Sequence, residues 1–125
     1  MGLELPMASG VSRQAGTDEK SRAFDTQFLD RVTFGDHKLA RELLMLFGAQ
    51  ANSLLEAVAT AADRTAQCEV AHRLKGAARG VGAFDVARAA EEIETAADAV
   101  ALETALAHLT ARVAEARLAL ADLLG

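Results

Sequence analysis

The chain has 125 residues and a mass of 13.1 kDa, the size of a single domain built on one core. Hydrophobic residues make up 51% and charged residues 25%, which argues against a disordered chain, while a net charge of -5 and only 4% aromatics argue against the basic, ring-stacking surface of a nucleic-acid binder. One cysteine, Cys68, excludes an intramolecular disulfide framework and a Cys-rich zinc module, and points to a reducing compartment.

Residues 1–23 hold the only proline, Pro6, and the polar run GTDEKSR without sustained periodicity. They read as a flexible tail ahead of a domain spanning 24–125. The start MGLELP departs at Pro6 from the Gly2 lipidation pattern, and neither a basic leader nor a run of about 18 apolar residues occurs, so a cytoplasmic location without membrane contact is expected.

From Phe24 onward there is no proline, alanine is abundant and apolar residues recur at helical spacing, which predicts an all-α fold. A short first helix is expected to start at an Asp25 cap, to carry Phe24, Phe28 and Val32 on one face, and to stop at Phe34-Gly35. Asp36 caps the second, long helix, whose stripe is Leu39, Leu43, Leu46, Phe47, Leu54 and Val58, with Gly48 marking a bend. Asp63-Arg64-Thr65 offers a break, and a third helix then runs from about Thr65 to Arg79 and ends at Gly80 and Gly82. A fourth starts near Ala83 and buries Val86, Ala90, Ile93 and Ala97. The last segment repeats Leu102, Leu106, Leu109, Val113, Ala116, Leu120 and Leu123 at alternating spacings of three and four, which reads as an antiparallel neighbour inside a four-helix bundle in preference to an intermolecular coiled coil.

Chemistry concentrates on the third helix. At about 100° per residue, Val70, Leu74, Ala77 and Val81 fall within roughly 40° of one another and are expected to be buried. His72, Lys75, Gly76 and Arg79 cluster on the opposite, solvent-facing side, with Cys68 one turn before the histidine. A neutral imidazole is an available nitrogen nucleophile at pH 7, two cations can meet an anion, and a glycine leaves room for close approach, so phosphoryl transfer to nitrogen is chemically feasible on this face.

The run His72-Arg73-Leu74-Lys75-Gly76-Ala77-Ala78-Arg79-Gly80-Val81-Gly82-Ala83 resembles the signature of the histidine-containing phosphotransfer (HPt) domain, H-x-[LI]-K-G followed by small residues and then G-[AL]. The resemblance extends from Phe24 to about Leu123. It implies an antiparallel four-helix bundle with a short additional N-terminal helix, and a phosphorelay intermediate that is a phosphocarrier without an ATP-binding or kinase domain. It further implies that His72 accepts the phosphoryl group through Nε2, that Lys75 steadies the phosphate, that Gly76 admits the receiver and that Arg79 helps. Glu94 stands where the family places the residue that accepts a hydrogen bond from Nδ1 and orients the ring, often Gln in phosphorelay members and Glu in the chemotaxis-kinase type. The partners implied are the receiver domains of a hybrid histidine kinase and of a response regulator. Mg2+ is supplied by the receiver, this chain needs no cofactor or metal of its own, and a monomer is expected.

His37 and His108 read as surface residues, and neither has zinc spacing with Cys68. Gly80 and Gly82 lack the preceding strand and the G-x-x-x-x-G-K-[ST] run of a phosphate-cradling loop. Two other readings of the same face remain: a helical module that binds a signalling partner without being phosphorylated, and the phosphorylatable domain of a chemotaxis-type kinase.

Overall fold

Four aspartates set where most of the helices begin. Asp25, Asp36, Asp63 and Asp98 each turn a carboxylate back to accept from the main-chain N–H three residues on, at 2.9, 3.0, 2.8 and 2.8 Å, satisfying a donor that the first helical turn leaves unpaired. In the computed structural model, which describes residues 23–125, these caps open α1 (Thr26–Val32), α2 (His37–Ala59), α3 (Arg64–Gly80) and α5 (Ala99–Leu124). Between the last two lies α4 (Phe84–Thr95), which has no side-chain cap and follows a tight turn through Val81, Gly82 and Ala83. The flexible tail expected over residues 1–23 lies outside the described residues except for Ala23, which is buried with Phe24 in the core.

Connections at residues 60–63, 81–83 and 96–98 are too short for anything but antiparallel neighbours. α2 packs on α3, α3 on α4, α4 on α5, and α5 returns to α2, closing a four-helix bundle. The short α1 closes one end. Its flanking Phe24 is fully buried edge-on against Phe47 at 5.8 Å, and Phe28 meets Phe84 at 5.2 Å. The Asp25 N–H donates to the Gly82 carbonyl at 2.9 Å, and a Cβ at Gly82 would come within 2.9 Å of the Asp25 carbonyl oxygen. Gly82 also has φ of +80°, so glycine is required there twice over, by backbone conformation and by the close approach of α1.

The helical pattern is as the sequence predicts, but the buried sectors are rotated. On α2 the buried residues are Leu44, Phe47, Ala51 and Val58, within roughly 60° of one another, and Leu39 and Leu46 lie more than about 100° from the centre of that sector and are exposed. Val32 and Leu123 are exposed as well, because α1 covers the bundle through Leu29 and Thr33 and the end of α5 runs past its neighbours. Ala97 is exposed because α4 ends at Thr95. Gly48 does not break α2; a Cβ there would meet Leu120 Cδ1 at 2.9 Å, so its place in the sequence reflects the approach of α5. The α5 seam does pack inside the bundle, through Leu109, Val113, Ala116 and Leu120 together with Ala105 and Ala119, whose small side chains let the helices come close. Among the described residues no helix is long and apolar enough to cross a membrane.

Candidate functional site

On α3 the buried residues are Ala71, Leu74, Ala78 and, just past its end, Val81, with Val70 and Ala77 only partly covered. The buried sector is thus turned by roughly 50° from the one predicted. That rotation decides the site. His72 remains on the outer side, its side chain 70% exposed, but Lys75 moves to the flank that faces α4 and is only 13% exposed.

Because α3 and α4 run antiparallel from the turn at 81–83, the middle of α3 lies beside the last turn of α4, and Glu94 stands there. Its carboxylate joins the two helices: Oε2 lies 2.9 Å from His72 Nδ1 and Oε1 lies 2.6 Å from Lys75 Nζ. Burial of the carboxylate acts to raise its pKa, but the interaction with Lys75 and the hydrogen bond with His72, together with their charges, outweigh this and leave the pKa lowered. Glu94 is therefore ionised at neutral pH and can only accept hydrogen bonds. The proton in the shared bond then sits on Nδ1, and the neutral imidazole holds its free lone pair on Nε2, away from Glu94.

A lowered carboxylate pKa contributes stability that is fully present above the unfolded value, ordinarily about 4.3, and is lost as pH falls through the folded value. The stability advantage of the wild-type chain over Glu94→Gln is accordingly expected to be constant through neutral pH and to shrink as pH is lowered from about 5 towards 3, read by urea denaturation at stepped pH.

Gly76, one turn beyond His72, is exposed, and a Cβ there would meet nothing within 4 Å. A glycine inside a helix costs about 0.5–1 kcal/mol relative to alanine, and nothing in this fold requires one at that position. Arg79, a further turn on, pairs with Glu91 at 3.4 Å, both side chains being well exposed. Of the predicted site residues, then, His72, Lys75 and Glu94 form one connected group, Gly76 is open ground beside it, and Arg79 is held by a different carboxylate. No large exposed hydrophobic side chain among the described residues lies on α3 or α4; they lie on α1, the turn after it, α2 and α5.

His37 is exposed at the start of α2, and His108 on α5 pairs with Glu92 at 2.9 Å on the far flank of α4. Among the described residues no group of three His, Cys, Asp or Glu could hold a metal ion. Sequence reasoning missed Arg64, which it placed in a loop break. The residue begins α3, and its guanidinium reaches main-chain carbonyls at the end of α4. Such interactions leave no mark in the sequence, since the acceptors are backbone atoms present at every position.

The family model described as the Hpt domain matches residues 42–124, a span that takes in most of α2, all of α3 and α4 and α5, and with them His72, Lys75, Gly76, Arg79 and Glu94. No curated protein and no solved structure matches the chain.

Proposed function

The chain belongs to the Hpt domain family, phosphocarriers of two-component signalling, and from that premise we propose that it is a phosphorelay intermediate that takes a phosphoryl group on His72 from one receiver domain and passes it to another. The observation that carries this reading is the His72 ring itself, held at Nδ1 by Glu94 with Nε2 left free on an exposed face beside an unobstructed glycine.

In the proposed step the Nε2 lone pair attacks the phosphorus of a receiver aspartyl phosphate. The N–P bond forms as the P–O bond to the aspartate breaks, and the carboxylate leaves with the bonding pair. The ring, still protonated at Nδ1, becomes cationic, and the Glu94 carboxylate 2.9 Å away offsets that charge. Transfer onward reverses the sequence on a second receiver. Lys75 keeps one donor on Glu94 and has two others for the phosphoryl oxygens. Arg79 adds a cation on the same side if it exchanges Glu91 for phosphate. The receiver brings the Mg2+. The chain so read is a monomeric, cytoplasmic carrier and not a turnover enzyme, with a hybrid histidine kinase and a response regulator as the sources of its receivers.

The test is incubation of the purified chain with a phosphorylated receiver domain, followed by intact mass. A gain of one phosphoryl group, acid-labile and base-stable, is expected; no gain across a panel of receivers would overturn the relay. The carboxylate at position 94 favours one second reading, a chemotaxis-type phosphorylatable domain, which predicts labelling by a kinase ATP-binding domain and none by receivers.

Gly76 separates fold from docking. Gly76→Ala is expected to raise stability by about 0.5–1 kcal/mol, since the helix gains propensity and the methyl meets open space. Gly76→Gln is expected to keep the fold and to weaken receiver binding, read by titration calorimetry. Unchanged binding in the glutamine variant would show that the receiver does not seat on this face.

A further inference from the structure

Arg64 touches neither His72 nor Lys75, yet its hydrogen bonds converge on the segment that holds Glu94. The last carbonyls of a helix have no partners within it, and α4 ends in Thr95-Ala96-Ala97 with no glycine after it and no basic residue in its last turn. The missing donor comes from the neighbouring helix. From the first position of α3, Arg64 Nη2 donates to the Ile93 carbonyl at 2.5 Å and the Ala96 carbonyl at 3.1 Å, with the Glu94 carbonyl at 3.5 Å. Its Nη1 donates to Gln67 Oε1 at 3.2 Å, and Gln67 Nε2 donates in turn to the Val58 carbonyl at 3.2 Å. One partly buried network thus fastens the end of α2, the start of α3 and the end of α4.

Glu94 lies inside that fastening. Its main chain is bounded by the carbonyls on Arg64, and its side chain reaches back to His72 and Lys75 on the same α3. We propose that Arg64 is a positioning residue for the His72 site: by clamping the last turn of α4 to α3, it keeps the Glu94 carboxylate on Nδ1 and so keeps the lone pair on Nε2. A planar guanidinium with several fixed donors can hold the Ile93 and Ala96 carbonyls and the Gln67 side chain together, whereas a lysine ammonium offers a point charge on a flexible stem. If the clamp is removed, the last turn of α4 is free to fray. The 2.9 Å bond between Glu94 and His72 loosens with it, because it depends on the placement of that turn against α3. As an account of transfer rate the proposal rests on the relay function; as an account of the ring's protonation it does not.

The experiment compares the full chain with Arg64→Met, Arg64→Lys, Glu94→Ala and Val113→Ala. The last removes buried volume on α5, away from both Arg64 and His72, and serves as a control for lost stability. Nitrogen-15 NMR of the unphosphorylated His72 ring at neutral pH reads which nitrogen carries the proton. In Arg64→Met the ring is expected to lose its Nδ1–H preference and approach the spectrum of Glu94→Ala, with Arg64→Lys between that and wild type and Val113→Ala unchanged. Phosphoryl transfer from a receiver should slow about tenfold in Arg64→Met at unaltered receiver affinity, the lower end of what loss of an orienting partner costs at metal-ligating histidines. A wild-type ring spectrum in Arg64→Met, or in Arg64→Lys and Arg64→Gln should the methionine variant not fold, would reduce Arg64 to a structural cap and overturn the proposal. Failure of the wild-type chain to accept phosphate would instead overturn the relay reading, with the ring comparison still deciding the role of Arg64.

Discussion

His72→Gln is expected to abolish phosphoryl incorporation outright while leaving the fold in place. Glutamine matches the reach of the imidazole and keeps an amide N–H that can donate to Glu94, but it has no basic nitrogen and cannot form an N–P bond. The side chain is 70% exposed and sits outside the core, so the change falls among surface substitutions, which ordinarily alter stability by no more than about 0.5 kcal/mol. Intact mass after incubation with a phosphorylated receiver, beside a circular dichroism melt, checks both halves at once. Labelling that survives in this variant would place the acceptor elsewhere. The exposed His37 and His108 would then be the next histidines to replace, although His108 is held by Glu92 on a different flank of α4.

Leu74→Ala is expected to be the opposite case, severe for the fold and indirect for the site. Leu74 is two residues from His72 but points inward, is fully buried, and belongs to the central core cluster. Truncating a buried leucine costs about 2–5 kcal/mol, from lost transfer energy and from the cavity left behind. Against a total stability of about 5–15 kcal/mol, that is a large share. For a domain of this length, each kcal/mol moves the thermal midpoint by about 5 °C, so a drop on the order of 10–25 °C should be seen by circular dichroism. At low temperature, where the variant is still folded, labelling should return, because Leu74 contributes no atom to the His72, Lys75 and Glu94 group. A loss below about 1 kcal/mol would mean that neighbouring side chains collapse into the space.

The two variants stand two positions apart on one helix, and their contrast shows what sequence spacing can and cannot resolve. Alternation between an inward leucine and an outward histidine is local: it follows from the angle between successive residues and is legible in the sequence alone. The placement of Lys75 is not. The sequence assigns it to the solvent face beside His72, and the structure tucks it against α4 because the buried sector of α3 centres on Ala71, Leu74 and Ala78, not on Val70, Leu74 and Ala77. Alanines on both sides of a leucine offer little contrast in hydrophobicity, so a wheel drawn from sequence can be turned by half a residue without penalty. The same holds for α2, where Leu39, Leu43, Leu44 and Leu46 offer more leucines than one face can bury.

Glu94 illustrates a different boundary. Periodicity and charge do not distinguish it from Glu91 and Glu92, and only resemblance to the HPt domain singles it out. The structure gives each of the three a separate partner, Glu91 with Arg79, Glu92 with His108, and Glu94 with both His72 and Lys75. By itself the sequence determined the all-helical class, the capping of the first two helices at Asp25 and Asp36, and the order of histidine, lysine and glycine along one helix, because each of these depends on residues within a turn or so of one another. The tertiary structure alone decided which sector of each helix is buried, that Lys75 shares the Glu94 carboxylate with His72, and that Arg64 reaches the carbonyls at the end of α4. Those features depend on the rotation and offset of one helix against the next, which arise from packing summed over the whole bundle and from backbone acceptors that no side-chain pattern encodes.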